Sequence, residues 1–249
     1  MRLPGIPRIV VFVIALAIAG CELFSYGKEF RIPGERISVL RMERSLEKDR
    51  RVADLEVRLP RPVAKLSWPQ AGGSSAHVQH HIELPSGLRE VWRTNIGEGS
   101  QSTMRLLATP VISDGKAFVM DVESQIRAIR TATGDVMWEY DPRVPDDEDE
   151  AFGGGIAYEN GTLYVSTGFA DVISLDAETG KEHWRKRMSG PMRAAPSVAD
   201  GRVYVVTIDN QLFALNGKTG EQLWSHAGFS EIAGLLGGAS PAIAAGAVV

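Results

Sequence analysis

The stretch Leu175-Asp176-Ala177-Glu178-Thr179-Gly180-Lys181-Glu182-His183-Trp184 recurs along the chain, and its recurrence decides the fold. Ala128 to Trp138 reads AIRTATGDVMW, and Ala214 to Trp224 reads ALNGKTGEQLW. Each copy is an apolar strand end, a polar turn closed by Thr-Gly, three more residues and then Trp. Trp92 closes an earlier copy that lacks the Thr-Gly. The tryptophans at 92, 138, 184 and 224 are separated by 46, 46 and 40 residues. Periods of roughly 40–50 residues mark propeller blades or helical repeats, and the composition of each unit decides between them.

The unit is all β. In the copy from Ala195 to Trp224, Ala195–Ala199 is a short apolar run and Asp200-Gly201 a hairpin signal, since both positions of a type I′ turn need positive φ. Arg202–Ile208 is rich in Val, Tyr and Thr, which suit a pleated surface. Asp209-Asn210 turns the chain into a third strand, Gln211–Leu215. Lys218-Thr219-Gly220 turns it into a fourth, Glu221–Ser225, which carries Trp224. Four short strands joined by tight turns make one blade. The hairpin signal repeats in phase at Asp114-Gly115, Asn160-Gly161, Asp200-Gly201 and, degenerately, Ala245-Gly246. A non-repetitive β-sandwich also shows regularly spaced short strands, but two independent markers in one phase favour the propeller.

Stacking buries faces that a lone blade leaves wet, and an aromatic on the outermost strand can reach the next blade. Such a Trp buries roughly 150–250 Å², or about 4–6 kcal/mol at most. Trp92, Trp138, Trp184 and Trp224, with the turn glycines Gly134, Gly180 and Gly220, are therefore read as structural docking residues rather than a cofactor box. Asp176 and Asn216 are placed to bond turn amides.

These copies resemble the tryptophan-docking motif, Ala-x-Asp-x-x-Thr-Gly-x-x-x-Trp, of the quinoprotein (PQQ-like) β-propeller repeat. The copy at Ala214, Thr219, Gly220 and Trp224 has Asn216 for Asp. The middle copy has Ser174 for Ala and keeps Asp176, Thr179, Gly180 and Trp184. The first has Arg130 where Asp belongs, so its turn is expected to be less well tied. The resemblance runs from about Trp68 onward, Trp68-Pro-Gln-Ala-Gly-Gly73 resembling the opening of such propellers. It is specific for fold and weak for function.

Residues 1–20 read as a signal peptide: Arg2 and Arg8 precede the apolar run Ile9–Ile18, which is short for a membrane span. Ile18-Ala19-Gly20-Cys21 resembles the bacterial lipobox, which implies lipidation at Cys21, the chain's one cysteine. Glu22 then favours the outer membrane. Residues 21–67 form a tether with 11 Lys+Arg against 8 Asp+Glu. A short helix is expected over Ile37–Ala53 and an edge strand at Val57–Pro60. From residue 68 the balance reverses to 14 bases and 23 acids, which argues against nucleic acid.

His77-Val-Gln-His80-His81 has poor ligand spacing, so no metal is expected there. The acids Asp146–Glu150 read as a solvated inter-blade loop, and Gly153–Gly155 as the opening of the next blade. Residues 68–249 hold about four blade lengths, and Gly246–Val249 aligns with Gly201–Tyr204, inside a blade. The expectation is a partial, all-β propeller of a parent with eight blades, an open arc that would aggregate through its unpaired edge.

Lipobox, charged tether and propeller together resemble the BamB family of outer-membrane assembly lipoproteins, in the layout of its alphaproteobacterial versions. That resemblance implies a periplasmic, lipid-anchored, non-enzymatic scaffold with no cofactor. Its implied partners are the periplasmic domains of the barrel subunit BamA, the other lipoproteins of the complex, and unfolded outer-membrane proteins. The family's Leu-Arg-Gly-x-Ser-Ala-Pro-like contact segment corresponds to Leu235–Pro241, with Leu236 in place of Arg. Ile232, Leu235 and Leu236 are either an apolar partner-binding spot or caps of a blade interface. The rival reading is a quinone-dependent dehydrogenase; such enzymes carry an adjacent Cys-Cys pair, and this sequence has one Cys.

Overall fold

The computed structural model describes residues 49, 51, 55–143, 151–228 and 238–249. Two compact units divide at Val57/Arg58. In the first, Arg51 pairs with Asp49 at 2.8 Å. Cys21, the Ile37–Ala53 helix for all but Asp49 and Arg51, Asp146–Glu150, and Ile232, Leu235 and Leu236 lie outside the described residues.

The second unit is all β. Three four-stranded antiparallel sheets follow one another: β1–β4 (Val111–Ser113, Lys116–Met120, Ile126–Arg130, Val136–Tyr140), β5–β8 (Gly154–Glu159, Thr162–Thr167, Asp171–Asp176, Glu182–Arg187) and β9–β12 (Ser197–Ala199, Arg202–Val206, Gln211–Asn216, Gln222–Ala227). Each is a meander whose spatial order is its chain order. A hairpin, β13 (Ile243–Ala244) and β14 (Ala247–Val248), begins a fourth. These are propeller blades. The expected hairpin turns are all present: Asp114/Gly115, Asn160/Gly161, Asp200/Gly201 and Ala245/Gly246 each have both residues at positive φ. Even alanine accepts φ 49° at the degenerate copy.

Strand periodicity explains where the core sits. Side chains alternate across a sheet, and the middle blade uses both faces. Ile156, Leu163, Val165, Ile173 and Leu175 pack toward Phe118 and Ile126 of the first blade. Their neighbours Ala157, Tyr164 and Val172 pack toward Val203 and Leu215 of the third. The hydrophobic core is thus the set of seams between blades, and the inner three strands of the middle blade are buried on both sides.

Two expectations change. Val57–Pro60 forms no strand; Val57 and Leu59 are exposed at 82% and 67%. Alternation gives a segment a face but does not supply a neighbouring edge. Trp92 stands in a segment without strand structure, yet it still docks on the first blade.

Candidate functional site

Two inter-blade constructions organise the described residues. The first is the tryptophan series. In each sheet the ladder places a small residue opposite Trp: Ala128 faces Trp138, Ser174 faces Trp184, and Ala214 faces Trp224. The register then slips by one, leaving Met137, His183 and Leu223 as bulged residues just before each Trp. A bulge bends and twists its strand, and here it re-aims the indole off the blade.

Three of the four indoles land on the Thr-Gly turn of the following blade. Trp92 Nε1 donates to the Thr131 carbonyl at 2.7 Å, Trp138 to Ala177 at 3.2 Å, and Trp184 to Gly217 at 2.9 Å. The acceptor is three residues before the turn glycine in all three cases. Gly134, Gly180 and Gly220 have φ of 80°, 72° and 72°, and an added Cβ would meet the docked ring at 2.7–2.8 Å. Glycine is needed twice over, for the left-handed backbone and for the close approach. The Trp224 ring lies tilted against Tyr204 with centres 5.9 Å apart, as the Trp184 ring does against Tyr164 at 6.2 Å; Trp184 is part-buried, whereas Trp224 is not. It is 40% exposed, and among the described residues no Thr-Gly turn meets it.

Asp176 ties its turn by accepting from the Glu178 and Thr179 amides at 3.1 and 2.8 Å and from the Thr179 hydroxyl at 2.7 Å. Asn216 Oδ1 does the same work at the Lys218 and Thr219 amides. Arg130 offers no such acceptor; its turn keeps the Gly134 N–H to Arg130 carbonyl bond at 2.8 Å. The Thr179 hydroxyl and amide bonds hold the Asp176 carboxyl below its usual range. A depressed carboxyl contributes stability above its unfolded pKa of about 3.9 that is lost as pH falls through the folded value. Asp176→Asn should therefore fold normally, since Asn216 closes the equivalent turn, and show a smaller fall of melting temperature than wild type as pH drops below about 4. Melting curves across that range check it; an unchanged acid limb counts against the turn's ionic part.

Charged groups add ties between the first two blades. Arg185 donates to the Pro142 carbonyl and the Tyr140 hydroxyl, both at 2.8 Å, and pairs with buried Asp171 at 3.1 Å. The Tyr140 hydroxyl donates to Glu182, and burial together with that carboxylate pushes its pKa up to about 12. Lys116 pairs with Glu178 at 2.8 Å.

The second construction was not foreseen. Residues 68–75 touch the first strand of each sheet in turn. Trp68 exchanges both backbone hydrogen bonds with Ile112 of β1, at 2.6 and 2.9 Å, and the Pro69 carbonyl accepts from the Tyr158 amide of β5 at 2.7 Å. The Gln70 carboxamide pairs with both backbone groups of Val198 in β9, at 2.9 and 3.1 Å, and the Ser75 carbonyl accepts from Ile243 of β13 at 2.7 Å. Gly72 and Gly73, at φ 69° and 74°, form the turn between Gln70 and Ser75.

His77, His80 and His81 do not converge. The His77 ring is partly buried, which lowers its pKa, and His81 Nδ1 lies 2.8 Å from the Pro60 carbonyl oxygen. Among the described residues no group of three or more His, Cys, Asp or Glu is placed to hold a metal.

The family described as "Outer membrane protein assembly factor BamB" matches residues 143–249. An uncharacterized protein of Rickettsia prowazekii is 32% identical over 134 residues, covering 53% of this chain and 32% of the relative. The outer membrane protein assembly factor BamB of Xanthomonas campestris is 29% identical over 111 residues, covering 43% of this chain and 27% of the relative. The crystal structure of a quinohemoprotein alcohol dehydrogenase from Comamonas testosteroni superposes with a TM-score of 0.52 at 28% identity, covering 65% of this chain and 27% of that one. The chain spans about a third or less of the length of these relatives. It carries a PQQ-like β-propeller repeat domain, of which three four-stranded blades and the start of a fourth are described. Its relatives include both BamB proteins and quinoprotein alcohol dehydrogenases.

Proposed function

We propose that this protein is a non-enzymatic periplasmic scaffold of the outer-membrane β-barrel assembly machinery. It is lipidated at Cys21, held at the inner face of the outer membrane, and docked on the periplasmic domains of BamA beside the complex's other lipoproteins. In that place it helps pass unfolded outer-membrane proteins to the barrel subunit. The observation that carries the reading is the BamB family match over residues 143–249, a span that holds the second and third blades and the β13–β14 hairpin. The blades supply a rigid frame, and loops between them supply contacts; apolar side chains in such loops dock in a partner's pocket.

The proposed contact residues are Ile232, Leu235 and Leu236, which follow the third blade. Leu235→Asp is expected to weaken co-purification with BamA by about 30-fold or more, the effect of losing a contact worth about 2 kcal/mol. The circular dichroism spectrum should not change. Wild-type-level co-purification of the variant would remove this site, and failure of the wild-type chain to co-purify would remove the scaffold reading.

The likeness to the Comamonas dehydrogenase supports a second reading, a quinone-dependent oxidoreductase. Reduction of a dye on addition of pyrroloquinoline quinone, Ca²⁺ and an alcohol would favour it over the scaffold.

A further inference from the structure

We infer that Arg193 is the cation of a carboxylate-binding site at the entries to the blades' first strands. Phase locates it. Gly153, Arg193 and Gly238 each stand seven residues before the first residue of a hairpin turn, Asn160, Asp200 and Ala245 respectively. They are therefore equivalent positions, leading into β5, β9 and β13. Two of the three are glycine, which leaves the third room to lie across the seam. A Cβ at Gly153 would sit 2.9 Å from Arg193 Cδ, and one at Gly238 would sit 3.8 Å from Arg193 Cβ. The side chain crosses Gly153 and brings its guanidinium carbon 4.0 Å from the centre of the Phe152 ring.

The guanidinium is positioned but lacks an acceptor. Two other part-buried arginines use Nη1 twice: Arg127 on the Ile96 carbonyl and Asp121, Arg185 on the Pro142 carbonyl and Asp171. Arg193 Nη1 is buried and has no hydrogen-bond partner among the described residues. Taking a charged N–H donor out of water without an acceptor is costly. The Phe152 ring attracts the charge through its face but accepts nothing in the plane of the guanidinium. The stacking also sets the shape of the ligand. With one face covered by the ring, the open approach is edge-on, where a planar pair of oxygens matches the fork of N–H donors. A carboxylate meets that demand. Its source is a free small acid or an Asp or Glu side chain of a peptide.

The site does not rest on the partner proposed above and is tested without it. Succinate, inorganic phosphate and a pentaglutamate peptide are titrated separately into the wild-type chain, with ionic strength held constant by chloride. The Nε–Hε NMR signals of Arg193 and Arg185 are followed. The Arg193 signal should shift saturably with succinate, with a Kd of about 10 mM or tighter, while that of Arg185, whose donors are already used, stays in place. Phosphate, which is not planar, should bind at least about tenfold more weakly. Pentaglutamate binding at least about tenfold tighter than succinate identifies a peptide side chain as the source, and equal or weaker binding identifies a free acid; both support the site. In Arg193→Gln, with the Phe152 amide signal as readout, succinate should bind at least about tenfold more weakly. An Arg193 signal that does not move, phosphate binding as tight as succinate, or unchanged succinate binding in the variant overturns the inference. If the variant does not fold, the wild-type titrations decide by the same criteria.

Discussion

Trp138→Ala is expected to lower the unfolding free energy by about 3–5 kcal/mol, the range for large packed aromatics, toward its lower end because Trp138 is half-buried at the edge of the core. For a domain of this size that corresponds to a fall in melting temperature of roughly 6–20 °C. The cost has three sources. The indole packs into the seam between the first two blades together with Phe118, whose ring centre is 6.1 Å away. Its N–H satisfies the Ala177 carbonyl, and its face covers buried Gly180. Alanine leaves a cavity at a joint that two sheets share, so both blades lose a neighbour. Thermal or urea unfolding measures the change; a loss under about 1 kcal/mol, the size of a surface substitution, would mean the indole is not a wedge.

Gly180→Ala should cost about 2–5 kcal/mol, although it adds a single methyl group. Backbone strain accounts for about 1–2 kcal/mol, since φ is 72° and alanine resists the left-handed region. Overpacking accounts for about 1–3 kcal/mol more, because the new Cβ would lie 2.7 Å from Trp138 Cδ2 and Cε3. Gly115 is the natural control. It also has positive φ, at 71°, but an added Cβ there meets nothing within 4 Å. Gly115→Ala should therefore cost the strain alone, and the difference between the two variants isolates the contact with Trp138. Denaturant midpoints of the two variants provide the comparison; equal costs would show that the contact contributes nothing.

The sequence exposed the parts of this fold that repeat. Trp and the Thr-Gly turn are rare residues at fixed spacing, and the Asp-Gly and Asn-Gly hairpins mark strand ends in the same phase. Together they located the turns and strands of three blades and identified Gly134, Gly180 and Gly220 as docking residues. The bulges at Met137, His183 and Leu223 left no trace, because these three side chains share no chemistry and a bulge is a property of pairing. The alanine or serine opposite each Trp was visible as a motif letter, but its reason, room for the indole across the ladder, needed the register.

The segment at residues 68–75 was half visible. Trp68-Pro-Gln-Ala-Gly-Gly73 stood out as an opening motif, yet the partners of Gln70 and Ser75 lie more than 120 residues onward and follow only from the blade order. The opposite error occurred at Val57–Pro60, where alternation looked like a strand but no sheet edge takes it. Cys21 and the apolar residues Ile232, Leu235 and Leu236 lie outside the described residues, so lipidation and partner contact rest on motif resemblance and on the experiments above.

The central claim, that Trp92, Trp138 and Trp184 are wedges seated on the turn glycines Gly134, Gly180 and Gly220 of the following blade, is tested most directly by a double-mutant cycle. Unfolding free energies are measured for wild type, Trp138→Ala, Gly180→Ala and the double variant. A wedge predicts that Gly180→Ala loses its overpacking cost once the ring is gone, giving a coupling of about 1–3 kcal/mol. Strictly additive costs would mean that the indole and the glycine do not meet, and would contradict the account.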